Sequence, residues 1–182
     1  MRQIEAAAMI SLAGWLSPTR IVGLAAYFFA TTSCCIAWVR NLRAQRSGRL
    51  AAYLGLLEAG LFIDMAFNGR WMLHDLLEDE AISRSLYAQR TGPQVALLGF
   101  LGAATAISIG LVIRALGGKT GASVAACGAI FSLSCWCAEV ISLHAIDAVF
   151  YANIDGLMVV SLCWIGGSLM TGLGILWESK IT

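Results

Sequence analysis

The sequence predicts an all-α fold: a polytopic transmembrane helix bundle of five spans, preceded by a short N-terminal interfacial helix. Three observations predict it. Of 182 residues, 59% are hydrophobic and only 13% are charged, against about 25% charged in ordinary soluble domains. Mean hydropathy is +0.77. Five apolar runs come close to or pass the roughly 20 residues that cross a bilayer as a helix. The runs are too continuous for barrel strands, which alternate polar and apolar residues. Helices keep every backbone hydrogen bond inside the segment, which lipid demands. This composition excludes a disordered chain, a disulfide-stapled miniprotein, a coiled coil and an ordinary cytosolic enzyme. The net charge of +1 gives no reason to expect nucleic acid as a partner. Residues 1–182 read as a single integral membrane domain, and the first partner is the lipid bilayer.

The chain begins with a stretch unlike the rest. Residues 1–20 hold an apolar run from Ile4 to Leu16 that is too short to span, closed by Ser17-Pro18. It reads as an amphipathic helix lying in the interface. A signal peptide is the competing reading. Arg2 would supply its charged start, but Glu5 and the short apolar core count against it. The spans follow at about 21–39, 50–72, 95–116, 123–150 and 156–177.

Orientation follows the arginines. The loop after the first span carries Arg40, Arg43, Arg46 and Arg49 and no acid, and the loop after the third carries Arg114 and Lys119. The second loop holds Asp75, Glu78, Asp79 and Glu80 with Arg70, Arg84 and Arg90, and the fourth holds Asp147 and Asp155 with no base. Five spans then place the N-terminus outside and the C-terminus in the cytoplasm. Arginine outnumbers lysine, and the chain is rich in Ala, Gly and Leu, which points to a bacterial inner membrane. The two lysines, Lys119 and Lys180, lie outside the spans, so a retinal Schiff base is excluded. The sizeable outer loop runs from Asp79 to Gln94. Within it Ala81 to Arg90 can form a surface helix that Thr91-Gly92-Pro93 ends. Trp71, Tyr87 and Tyr151 fall near the outer boundary, as interfacial aromatics do.

All of Cys34, Cys35, Cys127, Cys135, Cys137 and Cys163 fall inside spans, and no C-x-x-C occurs. Thiols in that setting pack as small apolar groups. Gly102, Ala106 and Gly110 in span three, and Ser168 and Gly172 in span five, repeat every four residues. Such faces let helices approach closely. They serve internal packing, or else docking onto a membrane-protein partner.

Ionisable groups inside spans are costly and tend to mark function. Here they concentrate in spans two and four. The intramembrane polar set is Glu58, Asp64, Asn68, Asp75, Glu139 and Tyr151, accompanied by Arg70. His74 lies as far beyond Leu50 as His144 lies beyond Thr120, about 36 Å along each helix. The two histidines of the chain therefore reach one level near the outer face. At 100° per residue, Asp64, Asn68 and Asp75 fall within about 40° of one another. His74 and Glu78 are spaced i,i+4, and His144 and Asp147 i,i+3, so each pair shares a helix face. Imidazole with carboxylate suits zinc, iron or manganese.

Three function classes follow. In the first, His74 and His144 bind a cofactor, either a haem or a pigment, or join Glu78 and Asp147 around a metal ion. In the second, the chain is an accessory subunit of a larger membrane complex, joined through the small-residue faces of spans three and five. In the third, Glu58, Asp64 and Glu139 form the relay of a proton-coupled transporter. Broken helices usually accompany such sites, and no proline interrupts these spans. A bland alternative stands beside all three: the same groups act as interfacial ion pairs and interhelical glue. Whether the chain is an enzyme stays open, since no HExxH, Walker loop, GxSxG or Rossmann fingerprint is present.

Overall fold

The computed structural model of the chain describes residues 17–181. The expected N-terminal interfacial helix falls almost wholly on residues 1–16, outside the described residues. The rest is an all-α bundle with five helices long and apolar enough to cross a membrane.

Helix α1 (Pro18–Arg43) starts where Ser17 caps it. The Ser17 hydroxyl accepts from the Arg20 N–H, and Pro18 stands in the first turn, where its missing N–H costs nothing. Its buried face reads Gly23, Tyr27, Ala30, Cys34 and Ala37, spacings of three and four that trace one helix face. Helix α2 (Arg49–Phe67) returns along it with Ala51, Leu54, Glu58, Leu61 and Met65 inward. Helix α3 (Gly69–Ser83) and a 3-10 turn (Tyr87–Gln89) lead to α4 (Thr91–Ala115). Then come α5 (Thr120–Ile141), the short α6 (His144–Phe150), a two-stranded hairpin of β1 (Asn153–Ile154) and β2 (Leu157–Met158), and α7 (Val159–Ile181). Asp155 and Gly156 turn the hairpin, both with positive φ, as a two-residue hairpin loop requires.

Helix α7 packs between α5 and α1, α1 packs on α2, and α2 returns to α5, so four helices close a bundle. Helix α4 lies outside, against α5, and buries no residue of its own. It is tied there by Thr105 and Ser134, whose hydroxyls meet at 2.7 Å.

The closest approach is between α5 and α7. Glycines at 121 and 128 on α5 face glycines at 174 and 167 on α7, two antiparallel rows with the same seven-residue spacing. A Cβ on Gly128 would stand 2.6 Å from the Gly167 carbonyl, and one on Gly174 would stand 2.6 Å from the Ala125 nitrogen. Backbones this close gain dispersion contact that larger residues would forbid. At the same end, the Glu178 carboxylate accepts from the Ala122 N–H at 3.1 Å. It thereby satisfies a donor that the start of α5 leaves open. The bundle interior mixes an apolar core, including Tyr27, Leu61, Met65, Val160 and Trp164, with the fully buried hydroxyls of Ser132, Ser161, Ser168 and Thr171, while Phe28, Leu56, Phe100, Ile107 and Leu162 point outward. Large apolar side chains on the outer surface suit a lipid environment.

Spans two and four end sooner than hydropathy indicates. The expected ranges 50–72 and 123–150 run past real breaks. Asn68 adopts φ 59° and Ser142 φ 46°, both left-handed, and the helices stop at Phe67 and Ile141. Hydropathy registers apolar side chains and is blind to one inverted backbone residue between them. The expected surface helix at 81–90 is also absent. Helix α3 continues to Ser83, and Thr91-Gly92-Pro93 opens α4 rather than closing a helix. Proline is tolerated in a first turn.

Candidate functional site

The two breaks create the site. Because α2 inverts at Asn68, the chain re-enters helix at Gly69 and swings Arg70 inward, leaving it 4% exposed. The Arg70 Nε donates to Asp64 Oδ2 at 2.9 Å, and Nη1 donates to both oxygens of Glu139 at 2.8 Å. Gly69 makes room for this, since a Cβ there would stand 2.7 Å from Asp64 Oδ1. On the far side, Trp164 Nε1 donates to Glu139 Oε1 at 2.9 Å, and the guanidinium lies 5.1 Å from the Trp164 ring centroid. Arginine suits this position because its planar fork reaches two carboxylates and also lies over an aromatic face.

Polar atoms with unused capacity surround the cluster. Among the described residues, Arg70 Nη2, Tyr27 Oη, Tyr151 Oη and Trp136 Nε1 are buried without a hydrogen-bond partner. Tyr27, Trp136, Tyr151 and Trp164 all belong to one packed group. Burial, aided by the Glu139 and Asp147 carboxylates, pushes the Tyr151 phenol well above its ordinary range, so it stays a donor. Near the neck of the cluster, Arg20 donates to the Ala66 carbonyl at 2.8 Å, in the last turn of α2 before the break. Deeper in the bundle Glu58 is fully buried, with Ser168 donating to its Oε2 at 3.4 Å and Oε1 unpartnered.

No family model, curated protein or solved structure matches this chain.

The expected polar residues divide. Asp64 and Glu139 meet through Arg70, which links the segments carrying them. Asn68 serves as the helix cap, and its break removes Asp75 from the stripe that straight-helix geometry gave it; Asp75 is exposed. Tyr151 packs against Trp71, ring centroids 5.8 Å apart, so two of the expected boundary aromatics pair with each other. The Asp147 carboxylate accepts from the Ser142 hydroxyl at 2.6 Å.

The histidines fare differently. His74 is half-buried on α3, with Nδ1 3.2 Å from the Val140 carbonyl and Nε2 3.6 Å from Glu78 Oε2. His144 begins α6 and is exposed. Among the described residues, no group of three or more His, Cys, Asp or Glu could hold a metal ion. The expected set of His74, Glu78, His144 and Asp147 is therefore not assembled around one metal position. Helical spacing puts each pair on one face, but the left-handed Ser142 and extended Leu143 end α5 before His144, so His144 does not continue that helix. Ser168 and Gly172 on α7 are buried against Glu58 and Phe29, so internal packing uses that small-residue face. The α4 face of Gly102, Ala106 and Gly110 is exposed.

Arg70, Trp164 and Tyr27 are the residues that sequence reasoning undervalued. Arg70 was visible as a cation inside an apolar run beside Asp64. Nothing in the sequence marked Trp164 or Tyr27, which reach the cluster through packing alone.

Proposed function

We propose that this chain is a proton-translocating transport protein of the membrane, with Asp64, Arg70 and Glu139 as its central gate and Glu58 as the deeper step. The observation that carries this reading is the double contact of Arg70 Nη1 on Glu139 between two broken helices. Desolvating such a pair costs several kcal/mol per ion, about what the mutual attraction returns. Buried ions in a membrane bundle are accordingly rare outside ion and proton paths. A proton arriving on Glu139 removes its charge and releases Arg70 to Asp64 alone. The α3–α5 contact loosens, and the unused polar atoms of Tyr27 and Tyr151 offer the released groups new partners. Departure of the proton restores the bridge. The breaks at Asn68 and Ser142 follow two complete membrane-length helices, so the cluster sits at the ends of those spans, where α3 and α6 can shift without unwinding either. In this reading the arginine-rich loop faces the cytoplasm of a bacterial inner membrane.

Purified protein in pyranine-loaded liposomes tests it. An imposed pH gradient should decay faster than in empty vesicles, and Glu139→Gln should return the decay to background. Equal decay with and without the protein overturns the reading. A visible absorption band on the purified protein would instead favour His74 and His144 as haem or pigment ligands.

One observation favours a second reading, that of an accessory subunit. Helix α4 buries none of its 25 residues within the chain, and its small-residue face would dock a partner in the bilayer. Gly102→Leu with Gly110→Leu would then reduce the native-gel size of the extracted assembly.

A further inference from the structure

The turn that joins α1 to α2 is short and braced, and every charge on it is positive. Arg40 and Arg43 stand in the last turn of α1, Arg46 follows in the loop, and Arg49 opens α2. Backbone bonds tie the turn. The Ala44 N–H donates to the Arg40 carbonyl at 3.0 Å, that of Gln45 to Leu42 at 3.0 Å, and that of Arg46 to Asn41 at 2.8 Å. Gln45 takes φ 55° to close it. Gly48 then lies buried against the Trp38 indole, where a Cβ would stand 2.5 Å from Trp38 Cδ1. A side chain of α1 thus holds the residue that precedes α2, so the four arginines are carried on a fixed turn.

Their charge is not met within the protein. All four residues are exposed, and among the described residues none of them forms an ion pair. Arg114, Lys119 and Lys180 lie at the same end of the bundle. Glu178, the one acid near that end among the described residues, already accepts from the Ala122 N–H. The surroundings say where the countercharge comes from. Trp38 and Trp177 are exposed at this end, as aromatics at the membrane boundary are. Ile36, Val39 and Leu42 carry exposed apolar surface along α1 up to the arginines. A molecule with an anionic head and apolar chains matches both surfaces.

The residue type narrows the head. Orienting a membrane protein needs only positive charge, which lysine supplies as well as arginine. This turn has four arginines and no lysine. A guanidinium presents a planar fork that gives a phosphate two parallel hydrogen bonds, whereas an ammonium acts as a point charge. We propose that the turn binds the phosphate headgroup of an anionic phospholipid, with the acyl chains lying along the exposed apolar face of α1. Membrane surfaces rich in such lipids attract juxtamembrane basic clusters, and a fixed turn binds with less ordering cost than a slack one. The site stands at the opposite end of α1 and α2 from the Arg70 cluster, which plays no part in it.

Titration of the delipidated protein with phosphatidylglycerol and phosphatidylcholine of the same chain length, read by native mass spectrometry, tests this. Phosphatidylglycerol should bind more tightly. Arg40→Lys, Arg43→Lys, Arg46→Lys and Arg49→Lys together keep the charge that orients the chain. They should weaken phosphatidylglycerol binding about tenfold, the size of one charge-assisted hydrogen bond. Gly48→Leu keeps every arginine but lifts the turn from Trp38, and it should weaken binding as well. Arg114→Lys, outside the turn, should change nothing. Equal binding of the two lipids would overturn the proposal. Full binding in the lysine variant would reduce the site to diffuse attraction by charge and overturn it too. So would displacement of the lipid by inorganic phosphate, since the acyl chains would then contribute nothing. None of these outcomes depends on proton flux.

Discussion

Arg70 reaches Glu139 with a single nitrogen, 2.8 Å from each carboxylate oxygen, across 69 positions of sequence. This contact joins the segment after the break in span two to the last turn of α5 before the break in span four. Segment α3 carries little other buried surface, since Arg70 is its one buried residue among those described. The position of α3 therefore depends on an ion pair more than on apolar packing.

Removing one partner should cost far more than removing both. Arg70→Met alone leaves Glu139 buried and unpaired, and breaking a buried pair in this way costs about 3–5 kcal/mol. Arg70→Met with Glu139→Leu should recover the part of that loss owed to Glu139, with Asp64 still left without its Arg70 partner, while abolishing proton flux. Unfolding of the two variants in mixed micelles checks the stability difference. Equal stability of the single and double variants would contradict the bridging role.

Arg70→Lys should fail to restore the wild-type state. An ammonium is a point donor and cannot span Asp64, Glu139 and the Trp164 face together. Gradient decay in liposomes should stay near background, with stability between those of wild type and Arg70→Met. Full activity in the lysine variant would show that charge alone suffices.

Glycine substitutions should separate sharply by helix. Gly174→Val and Gly128→Val force α5 from α7, an overpacking cost of about 1–3 kcal/mol or more. Gly102→Ala and Gly110→Ala meet nothing within 4 Å and should leave stability unchanged or slightly higher. Thermal denaturation in detergent measures all four. A destabilising Gly102→Ala would reveal a contact made by α4 beyond this chain.

The inverted residue at the first break tolerates little. Asn68→Gly keeps the left-handed conformation at small cost, whereas Asn68→Ile should lose roughly 1–2 kcal/mol, because a β-branched side chain clashes there. If the isoleucine variant were as stable as wild type, the break would not need its left-handed residue.

Topology can be read from one cysteine. In a cysteine-free background, Ser47→Cys in the arginine-rich loop should react with an impermeant maleimide only after the membrane is opened. Reaction in intact cells would reverse the orientation.

Side-chain chemistry alone determined the class of this protein and the number of its spans. Hydropathy sums over a window and survives small errors, so five apolar runs became five membrane-length helices. The same local logic singled out Asp64 and Glu139, because a carboxylate within an apolar run needs a partner wherever the chain goes. It paired His74 with Glu78, neighbours by helical spacing, which the structure brings to 3.6 Å. What the tertiary structure decided were the relationships that local periodicity cannot carry. The breaks at Asn68 and Ser142 are one-residue backbone inversions, without a proline to announce them, and past each break the helical angles counted from sequence no longer apply. That is why Asp75 leaves the polar stripe and His144 lies exposed. Trp164 joins the Glu139 carboxylate only because two rows of glycine draw α7 against α5, and pairing between rows so distant in sequence is fixed by packing, not by either row alone.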